Sequence, residues 1–358
     1  MAIRIEKRAA ASLPLLYATP LLALGLTLLA GVVLFLALGV DAGAALYHIF
    51  IEPFETLSSI GEVLIKAAPL VMIGIGLAIG FRANVWNIGA EGQLTLGAVA
   101  SGGVALAFWH ETGVWIFPLM VLAGILGGMA WAAIPAFLKA RFNVNEILTS
   151  LMLTYVAALF LSTLVYGPWK DPQGFNFPQS RMFNDSETLS LLVEGTRIHA
   201  GVPAAIVIAL LAYVLLERTV TGFEIRVAGL APAAARHAGF RENRLVWLSF
   251  LVSGGLAGLA GTLEVAGPIG QLVPVITPGY GFTAIIVAFL GRLHPIGILA
   301  SGLLMALTYV GGENAQIAVG LPRAATGMFQ GLLLFFLLAT DFLARYRVRI
   351  AARAEARP

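Results

Sequence analysis

The chain alternates long apolar runs with short polar segments over most of its length. A helix that crosses a bilayer needs about 20 mostly apolar residues, and about ten runs suggest such helices. They begin near Leu16, Gly61, Gly89, Val114, Ile147, Gly201, Leu245, Gly281, Pro295 and Ala325, and the last ends near Leu343. The eighth run is short, so with the ninth it forms either two spans or one broken element. The pattern predicts an all-α polytopic membrane helix bundle of about ten transmembrane helices.

Small residues predict where these helices touch. Three glycine pairs are spaced four residues apart: Gly76 with Gly80, Gly124 with Gly128, and Gly254 with Gly258. Glycine at this spacing lets two helix backbones approach closely within a membrane. The first apolar run, about residues 16–40, is longer than the core of roughly 7–15 residues in a cleavable signal peptide. We therefore interpret it as a retained first helix, although the small residues at 41–44 are a weak sign of cleavage.

Composition agrees with a membrane protein. The 358 residues are 59% hydrophobic and 11% charged, whereas soluble domains contain about 25% charged residues. We treat residues 1–358 as a single transmembrane domain. The chain has no cysteine, which excludes disulfides, thiol nucleophiles and cysteine-bound metals. Its five histidines are scattered, so we expect no metal and no other cofactor, and the small net charge of +3 favours no nucleic-acid partner.

The positions of the cations predict the orientation. With the N-terminus inside, all but five of the 22 Lys and Arg residues fall on the cytoplasmic side, where membrane proteins concentrate positive charge. The five exceptions are Lys66, Lys170, Arg181, Arg197 and Arg323. This imbalance predicts that both termini are cytoplasmic. Two long loops then remain, an outer loop at about residues 168–200 and an inner loop at about residues 217–244.

The segment 81–98, FRANVWNIGAEGQLTLGA, carries unusual polarity between apolar runs. Its glycines weaken a helix, and freed backbone groups within a membrane must find partners or line a cavity. Broken helices of this kind build solute sites in many transporters, so Asn87, Glu91 and Gln93 are candidates to face a polar pathway. A tight cytoplasmic turn, in which Arg82 is the positively charged anchor, is also consistent with this sequence. Farther along, Glu264 is a second acidic candidate to line a pathway, and solvation at a helix end is the alternative explanation.

The inner loop suggests a docking element. Its centre, APAAARHAGFRENR, places helix-forming residues after Pro232 and the hydrophobic Phe240 among cations. A short helix along the membrane face would suit a soluble partner. An amphipathic helix held by lipid headgroups explains the composition equally well.

Missing motifs narrow the function. The sequence has no G-x-x-x-x-G-K-[ST] phosphate-binding loop. It also lacks the H-E-x-x-H and G-x-S-x-G motifs of hydrolases. If the chain drives transport, the energy comes from an ion gradient or from another subunit.

Three blocks of sequence resemble a known family. They are residues 81–98, the stretch GFEIRVAGLAPAAARHAGF at 222–240, and LSFLVSGGLAGLAGTLEVAG at 248–267. Together they are similar to permease subunits of bacterial ABC importers in the branched-chain amino acid and simple-sugar permease superfamily. The resemblance is greatest to the branch that imports nucleosides with a basic-membrane-protein-type binding lipoprotein.

This resemblance implies a transport subunit of the bacterial inner membrane that is not itself an enzyme. The expected partners are an ABC ATPase subunit, a second and different permease chain, an extracytoplasmic substrate-binding lipoprotein and membrane lipids. The inner loop then resembles a coupling helix, with the expected ATPase contacts Ala234, Ala235, Arg236, Gly239, Phe240 and Arg241. The expected pathway residues are Asn84, Trp86, Asn87, Glu91, Gln93 and Glu264. The alternatives are a ribose-like sugar as cargo and, from another class, an ion-gradient-driven secondary transporter.

Overall fold

The computed structural model describes residues 2–7 and 13–351, with side chains from residue 18 to residue 342. Helices α1 to α13 are Leu13–Ala37, Ala42–Phe50, Leu57–Arg82, Ala90–Ala107, Ile116–Phe142, Glu146–Tyr166, Gly201–Arg218, Val220–Leu230, Pro232–His237, Glu242–Glu264, Tyr280–Leu290, Pro295–Val319 and Arg323–Arg345. Strands β1, Ala2–Lys7, and β2, Tyr346–Ala351, form an antiparallel pair. A short 3-10 turn, Glu52–Phe54, precedes α3, and a π-helical turn, Val265–Ile269, extends α10.

Each of the ten apolar runs is helical, but fewer than ten helices can cross a membrane. Within the described residues, eight helices are long and apolar enough to span. The two exceptions are α4, which carries Glu91 and Gln93 in its first turns, and α11, which has only 11 residues. Helix α4 packs against α5, α6 and α10, so neighbouring helices rather than lipid surround its polar residues. The prediction of an all-α polytopic bundle is confirmed, with about eight spans.

The eighth and ninth runs form a hairpin rather than one broken element. Helix α11 ends at Leu290 and α12 begins at Pro295 after a tight turn. Arg292 and Leu293 occupy left-handed backbone conformations in this turn, with φ of 54° and 56°. The Ser301 hydroxyl of α12 then donates to the Val287 carbonyl of α11 at 2.7 Å. The two helices therefore run back along each other.

The larger of two compact units comprises residues 54–307. Helix α3 is its centre, since 89% of its apolar window is buried, against 22–28% for α5, α6 and α7. Two of the predicted glycine pairs face each other where α5 crosses α10. A Cβ on Gly258 would lie 3.0 Å from the Gly124 carbonyl carbon, and one on Gly254 would lie 3.1 Å from that of Gly128. This contact confirms the small-residue prediction and requires glycine on both helices.

The smaller unit comprises residues 1–53 and 308–358. Helices α1 and α13 pack together through the stacked rings of Phe35 and Phe329, whose centroids are 6.4 Å apart. A Cβ on Gly31 would lie 2.8 Å from the Phe329 ring, so glycine is needed there for the close approach. Strands β1 and β2 pair with Ala2 opposite Ala351, which brings the two ends of the described chain side by side.

Candidate functional site

The predicted helix break lies between α3 and α4. Helix α3 ends at Arg82, residues 84–89 are not helical, and α4 begins at Ala90. The chain turns away at Asn84, whose φ of 59° is a left-handed conformation that asparagine tolerates well. The Val85 amide donates back to the Gly80 carbonyl at 2.9 Å. The helix is therefore interrupted where the glycines and amides predicted, and the turn at residues 83–84 directly after Arg82 also agrees with the alternative of a tight turn.

Buried amides hold this break in place. Asn87 is 2% exposed and Gln93 is 1% exposed. Asn87 donates to Gln93 Oε1 at 2.8 Å and to Ser253 Oγ of α10 at 2.9 Å. Its carbonyl oxygen accepts from the Gly89 amide and from Gln93 Nε2, both at 3.0 Å. The polar groups of Asn87 are thus satisfied within the protein, as buried amides require.

Glycines let the broken segment lie directly on α6. A Cβ on Gly89 would lie 2.9 Å from Ser150 Cβ, and one on Gly92 would lie 2.8 Å from Thr154 Cα. The Ser150 hydroxyl accepts from the Ile88 amide at 3.1 Å. The same glycines that weaken the helix therefore allow close packing at the start of α4.

Helix α11 runs parallel to α3 and reaches only partway along it. At one end, Arg82 Nε of α3 donates to the Leu293 carbonyl beyond α11 at 2.9 Å. Farther along, a Cβ on Gly74 of α3 would lie 3.6 Å from the Ala284 carbonyl oxygen of α11. At 1.5 Å per residue, the 11 residues of α11 measure about 16 Å, roughly half of a bilayer core. Its N-terminus therefore lies near the middle of α3.

Glu91 joins the N-termini of α4 and α11 at this level. Its carboxylate accepts from the Thr277 hydroxyl at 2.5 Å and from the Gly281 amide at 2.6 Å. The backbones approach so closely that a Cβ on Gly281 would lie 2.5 Å from Glu91 Cα. A carboxylate is favourable at a helix N-terminus, where unpaired amides concentrate positive charge. The half-buried Glu91 thus bonds directly to the N-terminus of α11.

Glu264 ends α10 and is 9% exposed. It lies within electrostatic reach of Lys66, Arg197 and Glu91. Arg197 is itself held by Glu62, with N–O distances of 2.6 and 2.5 Å. The helix widens into the π-helical turn Val265–Ile269 directly after Glu264, and such turns often occur at functional sites. The two predicted acidic pathway residues, Glu91 and Glu264, therefore interact electrostatically.

The long loop at residues 168–200 covers the end of unit 54–307 where Glu264 lies. Three backbone bonds fasten it to the segment between α10 and α11, from Ser180 N to Leu272 O, from Phe183 N to Gly270 O and from Leu189 N to Ala266 O, at 2.8–2.9 Å. We call this the loop end of the unit, and the opposite end, which carries α8 and α9, the α9 end.

Buried polar groups anchor the loop. Glu187 is fully buried and accepts from the Asn184 amide at 2.9 Å, and burial raises the pKa of its carboxyl. His199 is 4% exposed, and its Nδ1 accepts from the Gly201 amide at 3.1 Å. Burial, with a smaller effect of the Arg197 charge, lowers the pKa of His199, which keeps the ring neutral near pH 7.

A cavity of about 330 Å³ opens at the loop end. Trp169, Lys170 and Arg181 of the loop line it together with Gly103 of α4. The Arg181 guanidinium lies 4.8 Å from the centroid of the Trp109 ring. The lining includes two cations and no carboxylate, so this surface is positive and aromatic.

Two of the predicted pathway residues lie at the α9 end instead. Trp86 Nε1 donates to the exposed Asn84 at 3.1 Å. The Trp86 ring packs against Phe81 and Phe289, with centroid distances of 4.9 and 6.0 Å. These aromatic residues sit near the ends of α3 and α11 that the Arg82–Leu293 bond joins. The structure therefore does not bring Trp86 and Asn84 to Glu91.

The inner loop forms two helices, α8 and α9. Helix α9 starts with Pro232 in its first turn, a position where the missing amide costs nothing. Of the predicted contact residues, Ala234, Arg236, Gly239 and Arg241 are exposed, whereas Ala235 is 1% exposed and anchors the helix. Phe240 is half-buried against Phe223 of α8, with ring centroids 6.3 Å apart. Gly239 has a φ of 80°, which releases the chain toward α10.

Sequence reasoning missed several residues that bond to the predicted ones. Glu217 of α7 bonds to Arg82 and to Arg226 of α8. Thr277 binds Glu91, and Ser253 binds Asn87. Glu217 and Arg82 are 135 residues apart, and Thr277 and Glu91 are 186 apart. No local spacing signals such pairs.

Comparison with known proteins places these features in context. The family model described as "Branched-chain amino acid transport system / permease component" matches residues 59–338. The chain is 39% identical over 359 residues to a glucose ABC transporter permease protein of Haloferax volcanii, covering 98% of this chain and 94% of that one. It is 28% identical to a guanosine ABC transporter permease protein of Bacillus subtilis, covering 91% and 94%. A nucleoside ABC transporter permease protein of Lactococcus lactis is also 28% identical, covering 90% and 91%.

Proposed function

Because the chain belongs to the family of branched-chain amino acid transport system permease components, we propose that it conducts an uncharged, hydroxyl-rich solute as one subunit of an ABC importer. The protein is a multi-pass subunit of the plasma membrane and is not itself catalytic. The family match over residues 59–338 carries the conclusion. It also decides against the ion-gradient-driven secondary transporter that the sequence left open.

The cargo is a monosaccharide or a nucleoside. A glucose permease is 39% identical, and permeases for guanosine and nucleosides are 28% identical. Both kinds of solute present an uncharged, hydroxyl-bearing ring. Glu91 and Glu264 supply carboxylate oxygens that suit hydroxyl donors and disfavour an anionic solute. Because the identity to the glucose permease is greater, we propose a simple sugar as the first candidate cargo and a nucleoside as the second.

Uptake by the complete transporter tests the cargo. The chain would be produced with its ATPase, its partner permease and its binding lipoprotein, and uptake of labelled glucose and guanosine would be measured. We expect ATP-dependent uptake of one of them, with no competition by glucose 6-phosphate or guanosine monophosphate. Uptake that continues when the ATPase subunit is omitted would refute the proposal, and competition by the phosphorylated compounds would refute the role given to the carboxylates.

The solute would pass the break between α3 and α4. Glu91 and Glu264 would line the pathway between the middle of α3 and the loop end. Asn87 and Gln93 would shape it by holding the broken segment through their paired amides. Asn84 and Trp86 would border its α9 end. A glycine-rich break with satisfied polar groups supports this arrangement, because irregular backbone at membrane depth occurs where it is buried in protein or lines a cavity.

Helix α9 would be the contact with the ATPase subunit. Its exposed residues, Ala234, Arg236, Gly239 and Arg241, would face the partner, while Ala235 and Phe240 would fix the helix to the bundle. The burial of Ala235 and the packing of Phe240 on Phe223 support this division of roles. ATP binding and hydrolysis in the partner would then move α8 and α9 together and alternate the pathway between its two openings.

The binding lipoprotein would dock at the loop end, opposite α9. The loop at residues 168–200 would receive the binding lipoprotein, and its positive, aromatic cavity beside Trp169 and Arg181 supports this role. A second, different permease chain would complete the conduit.

The family match crosses both compact units, which supports one permease domain over residues 1–358. The pairing of β1 with β2 supports placing both termini on one side, which we propose to be the cytoplasm.

Labelling of single cysteines tests the orientation of the chain in the membrane and the docking of the lipoprotein on the loop. Because the chain has no cysteine, each introduced one is unique. Gln173→Cys in the loop and Ala234→Cys in α9 are matched exposed sites. In intact cells we expect a membrane-impermeant maleimide to label position 173 only, and saturating lipoprotein to slow that labelling. Labelling of position 234 before the membrane is opened would contradict the orientation, and unchanged labelling of position 173 would contradict the docking role.

A further inference from the structure

Three charged residues at the α9 end connect the inner loop with the transmembrane helices. Glu217 Oε1 accepts from Arg82 Nη1 at 2.8 Å, and Glu217 Oε2 accepts from Arg226 Nη2 at 2.6 Å. Arg82 uses its second nitrogen, Nε, to bind the Leu293 carbonyl at 2.9 Å. We call this set of bonds the Arg82 bridge. Its inner part is sheltered, because the Arg82 and Glu217 side chains are only 14% and 23% exposed.

Each bond of the Arg82 bridge joins a different structural element. Arg226 lies in α8, Glu217 in the last turn of α7, and Arg82 at the end of α3. Leu293 belongs to the tight turn that closes the hairpin of α11 and α12. The bridge therefore runs without interruption from the inner loop to α11.

The backbone of α8 also rests on the end of α3. A Cβ built on Gly229 would overlap the Arg82 carbonyl oxygen, so no larger side chain fits between the two segments. A displacement of α8 meets both the backbone and the side chain of Arg82. We assign α8 and α9 to the contact with the ATPase. A movement of these helices would therefore reach Arg82 through this backbone contact as well as through the ion pairs.

The far end of α11 is held in a corresponding way. Glu91 binds the Gly281 amide in the first turn of α11 and the Thr277 hydroxyl just before it. Hydrogen bonds therefore hold both ends of the α11 segment, Arg82 through Leu293 toward the inner loop and Glu91 through Gly281 toward the pathway.

From these contacts we infer that the Arg82 bridge carries the movement of α8 and α9 to α11, and that α11 is the element that opens and closes the pathway at Glu91. Arg82 and Glu217 are positioning residues, since they act through α11 and do not contact the solute. The inference rests on the proposed contact between α9 and the ATPase, and it identifies how that contact reaches the site.

Two conservative substitutions separate this role from general stability. Arg82→Lys keeps the positive charge but offers one nitrogen where the arginine fork serves Leu293 and Glu217 together. Arg226→Lys keeps a single ion pair at a half-exposed site, so it is the matched control. In the assembled transporter we expect Arg82→Lys to lower solute uptake about tenfold while ATP hydrolysis stays within about twofold of the parent. Arg226→Lys should keep both rates.

A second measurement follows α11 directly and remains informative if uptake is weak. A single cysteine in place of Phe282, which is 38% exposed, would report the rate of thiol labelling with and without ATP. We expect ATP to change this rate in the parent and in Arg226→Lys, but not in Arg82→Lys or Glu217→Gln. Glu224→Gln, a half-buried acid in α8, is the control for loss of a carboxylate.

The outcomes distinguish a failure of the Arg82 bridge inference from a failure of the proposed ATPase contact. If ATP changes labelling equally in the parent and in Arg82→Lys, the bridge does not carry the movement and the inference is wrong. If ATP changes nothing even in the parent, α11 is not the moving element. If charge reversal on α9 leaves the ATP-dependent change intact, the proposed ATPase contact fails instead.

Discussion

Reversing the charges of Arg236 and Arg241 together is expected to abolish solute uptake while the amount of protein in the membrane stays the same. Both side chains are exposed at the α9 end, and Arg236 makes only a long ion pair of 3.5 Å with the exposed Glu242. Exposed ion pairs contribute about 0–1 kcal/mol to folding. The fold should therefore tolerate Arg236→Glu with Arg241→Glu, whereas a charge-complementary interface should not.

Arg141→Glu is the matched control for this experiment. Arg141 is an exposed arginine in the last turn of α5, outside the segment that we assign to the ATPase. Uptake, membrane abundance and co-purification of the ATPase subunit would be measured for both variants. Normal uptake by the double variant, or equal loss in the control, would remove α9 as the contact. Cross-links from Arg236 and Phe240 that reach phospholipid alone during transport would lead to the same conclusion.

Replacing Glu91 with alanine should lower uptake by at least about tenfold. The change leaves the Gly281 amide and the Thr277 hydroxyl without their acceptor in a largely buried place, and an unpaired buried donor costs about 1–3 kcal/mol. The N-terminus of α11 also loses a favourable negative charge. We expect α11 to detach from α4, so ATP hydrolysis continues but no longer drives transport. Glu91→Gln keeps one acceptor oxygen and should fall between the parent and Glu91→Ala.

Glu146→Gln controls for the loss of any buried acid. Glu146 is 8% exposed, lies in the first turn of α6 and pairs with Lys139 at 3.0 Å. Its neutralisation should lower thermal stability to a similar extent while uptake per molecule is retained. The measurements are uptake, ATP hydrolysis and the melting temperature of the purified assembly. If Glu91→Ala reduces only the melting temperature, Glu91 is a packing residue and the proposed pathway lies elsewhere.

Local features of the sequence were enough to find the helix break but not its surroundings. Glycines and amides at residues 84–93 predicted that α3 and α4 would be interrupted, because these residues weaken helices wherever they occur. The same reasoning grouped Asn87, Glu91 and Gln93, and the family resemblance added Asn84 and Trp86 to this group. The structure divides them, since Asn87 is saturated by Gln93 and Ser253 while Trp86 packs against Phe81 and Phe289. Side-chain direction at a break depends on neighbours that local sequence does not reveal.

The number of spans shows a similar limit. Hydropathy found ten of the thirteen described helices and missed the shorter α2, α8 and α9, and it also treated α4 and α11 as complete crossings. Helix α4 is less apolar because other helices surround it, and α11 stops after 11 residues at the Arg292–Leu293 turn. Apolar composition reports that a segment avoids water. It does not report whether lipid or protein provides the apolar environment.

The sequence by itself determined that this chain is a helical membrane protein, where ten of its described helices begin, which segment is broken and which family it resembles. These properties follow from composition and from interactions between residues close along the chain. Only the tertiary structure decided which distant groups meet: Glu91 with the start of α11, Glu217 with Arg82, and the loop at 168–200 with the segment after α10. Hydrogen bonds and ion pairs act over a few ångströms, so their partners are known only once folding has brought separated segments together.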